Sequence, residues 1–375
     1  MKKHTAKTLV ILLALALILG LAACGGGAAP TPAPPPAQTP AANGAADAND
    51  DEDEPDEDLP TYNFIWAHMF AGNHHIHTGI IEPFVAELNE RSGGRINIEI
   101  IPGGAISTAA SALDDVVTGS VDMVWSMPGS TPGRFPLSEM LEFSEHFMSG
   151  EEATNTFWDV LETNEALQAE HSDYKLIAFF TTESGNIYNN TRPVRTPEDT
   201  VGLLLRTPSP MTERTLQAYG ASTVNMPMGD TYDAIDRGIV DGAGSNHSGV
   251  AQFSFYEVVS YATHGLNLYV SPMYFAMSWH AWNSLHPQDQ ALFEELAGRT
   301  LSLQAATQYD NFAVEGLAIM EAAGVEIHRL TDEERAAFFA LGATVVEEHI
   351  ASVEALGLPG QAFHDELIAA RDARR

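Results

Sequence analysis

The chain has 375 residues, 45% of them hydrophobic, and a formal net charge of −33. That length and apolar content suit one two-domain globular protein with appendages. The charge argues against nucleic acid or anionic lipid as a partner, and it repels small anions at long range, so an anionic solute needs a local cation. Residues 1–23 read as a secretion signal, with Lys2, Lys3 and Lys7 at the start and an apolar stretch from Leu9 to Leu19. That stretch is short for a membrane span. It ends in Leu21-Ala22-Ala23-Cys24, where small residues directly precede the only cysteine of the chain. The reading is a bacterial lipoprotein cleaved before Cys24 and diacylated there; the other reading is an ordinary signal with an incidental cysteine. A lone cysteine excludes an intrachain disulfide and a cysteine metal site. Residues 24–60 carry this Cys24 and a tether rich in Gly, Ala and Pro, strongly acidic from Asp47 to Asp58. It has too little to bury to fold, and reads as a solvated spacer rather than a cation site.

The folded part begins near Tyr62. Tyr62–His68 reads as a first strand. Ile80, Ile81, Phe84, Val85 and Leu88 recur at helical spacing, and Ser92-Gly93-Gly94 ends that helix. Ile96, Ile98 and Ile100 alternate as a strand. A helix is expected near 107–118 and a third strand over Val121–Trp125. His68, His74, His75 and His77 allow two readings, a metal site or a strand-to-helix loop lining a cleft; the cluster lacks a clear carboxylate or i, i+4 pair, so no metal site is assigned. Trp125, at a strand end, reads equally as pocket wall or core.

Phe157, Val160, Leu161 and Leu167 mark a helix, Leu176–Phe180 a buried strand, and residues 181–186 a crossover loop. Val201–Leu205 is a short apolar run ending at Arg206, which should lie where a strand runs out into a loop. Ser209 and Pro210 suit the cap and first turn of a helix that Gly220 ends. Asp230 is expected to cap a second helix, and Ile239-Val240 to be the next strand. This β-α-β pattern sets one cation at the carboxyl end of a strand, where open α/β sheets bind ligands. A guanidinium offers a carboxylate two parallel donors and stays charged; alternatively Arg206 pairs with a nearby Asp or Glu. Phe253, Phe255, Val258 and Val259 suggest a helix, and Leu266–Ser278 one or two strands. Tyr274 reads equally as a cleft residue or a half-buried strand tyrosine. Residues 287–323 are helical over roughly 50 Å, with Gly298 and Gly316 as interruptions. Thr331 with Glu334 forms a capping box.

The stretch from Thr196 to Asn246 resembles the solute-binding subunits of TRAP (tripartite ATP-independent periplasmic) transporters, a family that includes dicarboxylate-binding proteins. The matches, in register, are Pro197-Glu198-Asp199, Gly202-Leu203, Arg206 with Pro208, Gly220-Ala221, Met226, Tyr232 and Val240-Asp241-Gly242. The segments FVAELNERSGGRINIEIIPGGAI and GSVDMVWS resemble the family's opening more loosely. The resemblance implies an α/β, two-lobed periplasmic-binding-protein-like fold of the class II type, with a long helix spanning both lobes. Lobe I is then 61–183 with 275–312, and lobe II 184–274 with 313–375 and its C-terminal helices.

It further implies that Arg206 pairs with the carboxylate of a small organic acid, and that the first loop faces the solute, so Trp66, His68 and His75 are pocket walls. Many relatives carry a second arginine where this chain has Asn186, which donates hydrogen bonds but no charge; a solute held by two arginines is not implied. Ser245 stands at the family's asparagine position with Asn246 beside it, and either one contacts the solute. The expected role is extracytoplasmic, lipid-anchored delivery to TRAP membrane permease subunits, with no cofactor, nucleic acid or catalysis. The competing readings are a solute sensor serving a signalling receptor and an extracytoplasmic hydrolase. The latter lacks a G-x-S-x-G elbow, and the adjacent His247 and Ser248 do not by themselves assemble a nucleophile and base.

Overall fold

A computed structural model describes residues 59–375, which lie in one compact unit, Asp56–Arg375. The signal, Cys24 and nearly all of the tether fall outside the described residues. In chain order, β1 (Tyr62–His68) leads through a wide helical turn at His77–Ile81 into α1 (Glu82–Arg91), β2 (Ile96–Ile101), α2 (Ala112–Thr118) and β3 (Met123–Ser126). Two 3-10 turns, Pro128–Ser130 and Ser138–Glu142, precede α3 (Gly150–Leu161), α4 (Glu165–Glu170) and β4 (Lys175–Thr181). Then come β5 (Asn186–Asn189), β6 (Leu204–Thr207), α5 (Pro210–Tyr219), β7 (Ser222–Asn225), α6 (Met228–Asp236), β8 (Gly242–Ser245), α7 (His247–Gln252) and β9 (Tyr261–His264). The chain ends with β10 (Pro272–Met277), α8 (Trp279–Ser284), α9 (Pro287–Leu296), α10 (Gly298–Ala323), β11 (Glu326–Arg329), α11 (Asp332–Ala355) and α12 (Gly360–Asp372).

Two sheets define two α/β lobes. The first has the order β2-β1-β3-β10-β4, the second β11-β9-β5-β8-β6-β7. Two of the segments crossing between them pair with each other: Gly185 N–H donates to Tyr269 O at 2.6 Å, Leu268 N–H to Gly185 O at 2.9 Å, and Thr182 N–H to Ser271 O at 3.0 Å. Each sheet is covered on both faces, the first by two large apolar clusters and the second by two smaller ones. α10 packs on β4 and α3 of the first lobe and on α7 of the second, and is about 39 Å long at 1.5 Å per residue. Asp310, in its middle, accepts from Gly150 N–H and Glu151 N–H at the start of α3, at 2.8 and 3.0 Å.

Several expectations shift. The helical stretch 287–323 is two helices, broken at Ala297 and Gly298. Gly316 does not interrupt α10; a Cβ there would come within 2.4 Å of His247 O, so glycine is what lets α7 lie against the helix. Asp230 sits inside the first turn of α6, whose capping position is Pro227. Val240 precedes β8 rather than forming it. The third strand starts at Met123, two residues late, and the region after Gln252 is only a 3-10 turn, Phe255–Glu257. Ser209, Gly220 and the Thr331/Glu334 capping box are placed as the sequence implies. α12 packs against α3, so the C-terminal segment also reaches the first lobe. α11 is apolar and long enough to cross a membrane by composition, but Phe338, Val345, Ile350 and Val353 are buried and it packs on α5 and α12.

The interior holds titratable groups of both signs. Burial keeps His68 and His146 near 4 and His75, His171 and His247 near 3. Burial also raises Glu142 and Glu183 to about 8, and Glu139, Glu145 and Glu170 to about 7. Neutral histidines favour the fold above 6.5, and this contribution is lost as pH falls below that value. Protonated carboxyls favour it below 4.5, and this contribution is lost as pH rises through 7 to 8. Between pH 4.5 and 6.5 the two sets oppose each other, and above 6.5 only the carboxyls still change. The melting temperature is therefore expected to be highest between pH 4.5 and 6.5 and to fall as pH is raised from 6.5 to 8.5, measured by calorimetry across buffers of equal ionic strength. A melting temperature that holds constant or rises from pH 6.5 to 8.5 would contradict this.

Candidate functional site

A cavity of about 440 Å³ lies where the two lobes meet, a volume within the range of roughly 300–1,000 Å³ common for small-molecule sites. The first lobe contributes Met69, Phe70, His74 and His75 from the loop after β1, and Met127, Gly129 and Ser130 after β3. The second contributes Arg206 from β6, the loop around Met226 after β7, and the start of α7. Thr182, Tyr269, Ser271 and Met273 line it from the crossing segments and β10, and Tyr309 from α10.

Arg206 is the charged centre. It lies within β6 rather than beyond it, paired in register with Val224 on one side and Ala243 on the other. Its Nε donates to Met226 O at 2.9 Å and its Nη1 to Gly244 O at 3.4 Å. Two carbonyls thus fix the plane of the guanidinium, and among the described residues Nη2 has no protein acceptor. No carboxylate pairs with Arg206 among the described residues. Burial lowers it to about 10, with the neighbouring Tyr269 acting the other way, so it remains a cation at neutral pH. The Tyr269 hydroxyl also has no protein partner among the described residues. A buried, unpaired charge is costly; here it borders open space.

The remaining lining is mostly apolar. Five methionines, two phenylalanines and several prolines face the cavity. His75 packs between the rings of Tyr309 and Phe312, at centroid distances of 4.6 and 4.5 Å. Both His75 ring nitrogens are sealed without partners. It therefore offers the cavity a wall rather than a hydrogen-bonding group. Asn246 caps α7, accepting from Gly249 N–H at 3.1 Å. The α7 start is itself held by the buried Glu183, which accepts from Ser248 N–H at 2.7 Å and Ser248 Oγ at 3.0 Å.

The lobes touch across this space. Ser209, three residues beyond Arg206, donates to the buried Glu142 of the first lobe. A Cβ on Gly129 would meet the Ser209 Cβ at 2.9 Å. On the other side His75 N–H donates to Gln252 Oε1 at 3.2 Å. These contacts join the two lobes at both edges of the cavity.

Of the residues singled out in the sequence, Arg206, Asn246 and His75 line the cavity. Six do not. Tyr274 lies on the opposite face of the first sheet, stacked on Tyr174 at 5.5 Å, because neighbours on a strand alternate; Met273 takes the cavity side. Trp66 is fully buried against Phe84 and Phe275. Trp125 is a second layer behind Phe70 and His74, at 4.2 and 5.1 Å. His68 is turned to His77, Nε2 to Nδ1 at 2.7 Å, and His77 reaches Glu82 at 3.2 Å. Asn186 ties down a crossing segment: its Oδ1 accepts from Leu266 N–H at 3.1 Å and its Nδ2 donates to Ser184 O at 3.3 Å. Ser245 faces Asn186 across the β5–β8 pair and is fully buried, so of the pair Ser245 and Asn246 it is Asn246 that borders the cavity. Among the described residues no group of three His, Cys, Asp or Glu is placed to hold a metal ion. Tyr269 carried no sequence signal, since its position depends on the pairing of two crossing loops distant from Arg206 in the chain.

Comparison with known proteins gives one consistent answer. Residues 66–352 match the model of the bacterial extracellular solute-binding protein family 7. The 2,3-diketo-L-gulonate-binding periplasmic protein YiaO of Escherichia coli K12 is 26% identical over 256 residues, 67% of this chain and 76% of that one. The C4-dicarboxylate-binding protein DctB of Bacillus subtilis 168 is 25% identical over 265 residues, 67% of this chain and 72% of that one. A TRAP solute-binding protein from an unidentified marine microbe, specific for aromatic acid ligands and solved in complex with meta-hydroxyphenylacetate, matches with a TM-score of 0.79 at 25% identity, covering 83% of this chain and 98% of that one. With a family match over well above half its length, two α/β lobes and a cation in the cleft between them, the chain belongs to the family 7 extracellular solute-binding proteins, the solute-binding subunits of TRAP transporters.

Proposed function

We propose that this receptor captures a small monocarboxylate with an apolar, ring-sized body and releases it to a TRAP permease. The observation that carries this reading is the unpaired Arg206 guanidinium bordering a cavity whose wall is largely methionine, phenylalanine and proline. A carboxylate there accepts from Nη2 and from the Tyr269 hydroxyl, and removes the cost of an isolated buried charge. A single cation suits a single carboxylate. The methionine, phenylalanine and proline lining suits hydrocarbon better than the hydroxyls of a sugar acid, each of which would need a partner. The match to a receptor for aromatic acids supports the same ligand class.

Closure follows from the same contacts. The solute's charged end meets the second lobe and its apolar end the first, so only the closed form makes both sets of contacts and the solute favours it. The lipoprotein reading of Cys24 places the receptor outside the cytoplasmic membrane, with residues 24–60 as spacer to the permease.

Arg206→Met is expected to raise Kd for meta-hydroxyphenylacetate by on the order of 10–10², the loss of the charge-assisted hydrogen bond from Nη2 at about 1.5–3 kcal/mol. Arg206→Lys should recover only part, because an ammonium lacks the planar pair of donors. The melting temperature of both variants should stay within about 3 °C of wild type. Titration calorimetry checks this; a wild-type Kd in the methionine variant would remove Arg206 from the site. Separately, detergent phase partitioning of cells expressing the full chain should place the protein in the detergent phase, and Cys24→Ser should move it to the aqueous phase. Equal partitioning would overturn the lipid anchor.

A further inference from the structure

Five of the chain's 12 methionines line this one cavity. They come from separate segments: Met69 after β1, Met127 after β3, Met226 and Met228 around the β7–α6 loop, and Met273 in β10. Convergence from both lobes is not the by-product of one apolar helix or strand face. Methionine is unbranched, has three rotatable bonds and a polarisable sulfur, and refills irregular space when a neighbour changes.

The five divide into two kinds. Met127 and Met273 are restrained near the crossing segments. The Ser271 hydroxyl lies 3.9 Å from Met127 Sδ, and the Tyr309 hydroxyl donates to Met273 Sδ at 3.4 Å. Met69, Met226 and Met228 make no such contact, and each is half-buried. Met226 holds Arg206 only through its backbone carbonyl, so its side chain is free of that duty. Met228 reaches across to α7, its methyl 2.8 Å from where a Cβ on Gly249 would stand. In the first lobe's share of the lining, both His75 ring nitrogens are sealed and the Ser271 and Tyr309 hydroxyls face methionine sulfur, which leaves His74, Ser130 and Thr182 as the polar side chains beside walls that deform.

We propose that Met69, Met226 and Met228 make this a broad-specificity receptor, one that holds the carboxylate rigidly and adapts its wall to apolar bodies of different shape. This rests on the monocarboxylate reading above. A rigid apolar pocket separates ligands that differ by one methylene by about 10- to 200-fold; an adaptable one compresses that range.

The test is calorimetry with benzoate, meta-hydroxyphenylacetate, cyclohexanecarboxylate and 4-methylpentanoate. The wild-type protein is expected to bind all four with Kd values within about tenfold of one another. Leucine is close in volume to methionine and usually tolerated in its place, but it is stiffer. The triple variant Met69→Leu, Met226→Leu, Met228→Leu should widen the spread among the four ligands beyond about 100-fold. Met228→Leu alone, should the triple variant fold poorly, is expected to widen it beyond about 20-fold. A wild-type spread above about 100-fold, or a leucine variant with the wild-type spread, overturns the adaptable wall and leaves the monocarboxylate reading standing. Failure of the wild type to bind any of the four overturns both.

Discussion

Burying a guanidinium without a carboxylate beside it is the constraint around which this molecule is arranged. Acidic residues far outnumber basic ones in the chain, yet among the described residues none pairs with Arg206. The arginine is threaded into the middle of β6, between β7 and β8, and oriented by two backbone carbonyls. Carbonyls accept hydrogen bonds without supplying a full negative charge, so they fix geometry and leave the charge uncompensated. An arrangement of that kind is costly in an empty closed protein and favourable in a filled one. It therefore links solute capture to closure without a separate trigger.

The two lobes divide the work by chemistry. The second lobe carries the cation, and its neighbours Ser209, Asn246 and Gln252 also reach the cavity or the opposite lobe. The first lobe supplies mainly side-chain carbon. Glu142 and Gly129 meet Ser209 at one edge, and Asn73 and His75 meet Gln252 at the other. α10 runs under both lobes, and the absence of a Cβ at Gly316 lets α7 approach it. The surface that reads the solute is thus mounted on the element the lobes share.

Much of this was legible in the chain. Arg206 stood out because a charge closes an apolar run and a capped helix follows. Ser209, Gly220 and the Thr331/Glu334 box were recognisable because capping depends on residues a few positions apart. What escaped depended on distant pairing. Tyr274 and Met273 are adjacent and both large, and only the register of β10 between β3 and β4 decides which faces the cavity. Trp66 and Trp125 belong to the correct face of the first sheet, but Phe70 and His74 are interposed between Trp125 and the solute space. Tyr269 sits on an irregular crossing segment whose position is set by hydrogen bonds to Gly185, more than eighty residues earlier. Asn186, aligned with a binding position by resemblance, is engaged in holding that same segment.

Capture at Arg206 turns on charge rather than shape, and one matched pair of ligands separates the two. Meta-hydroxyphenylacetate and its primary amide have nearly the same size and differ in whether the end facing Arg206 is an anion. Titration of the purified, ligand-stripped protein with each should show saturable binding of the acid and at least about tenfold weaker binding of the amide, on the order of the lost charge-assisted bond. Equal affinity for acid and amide would mean that Arg206 does not select a carboxylate, and would contradict the account at its centre.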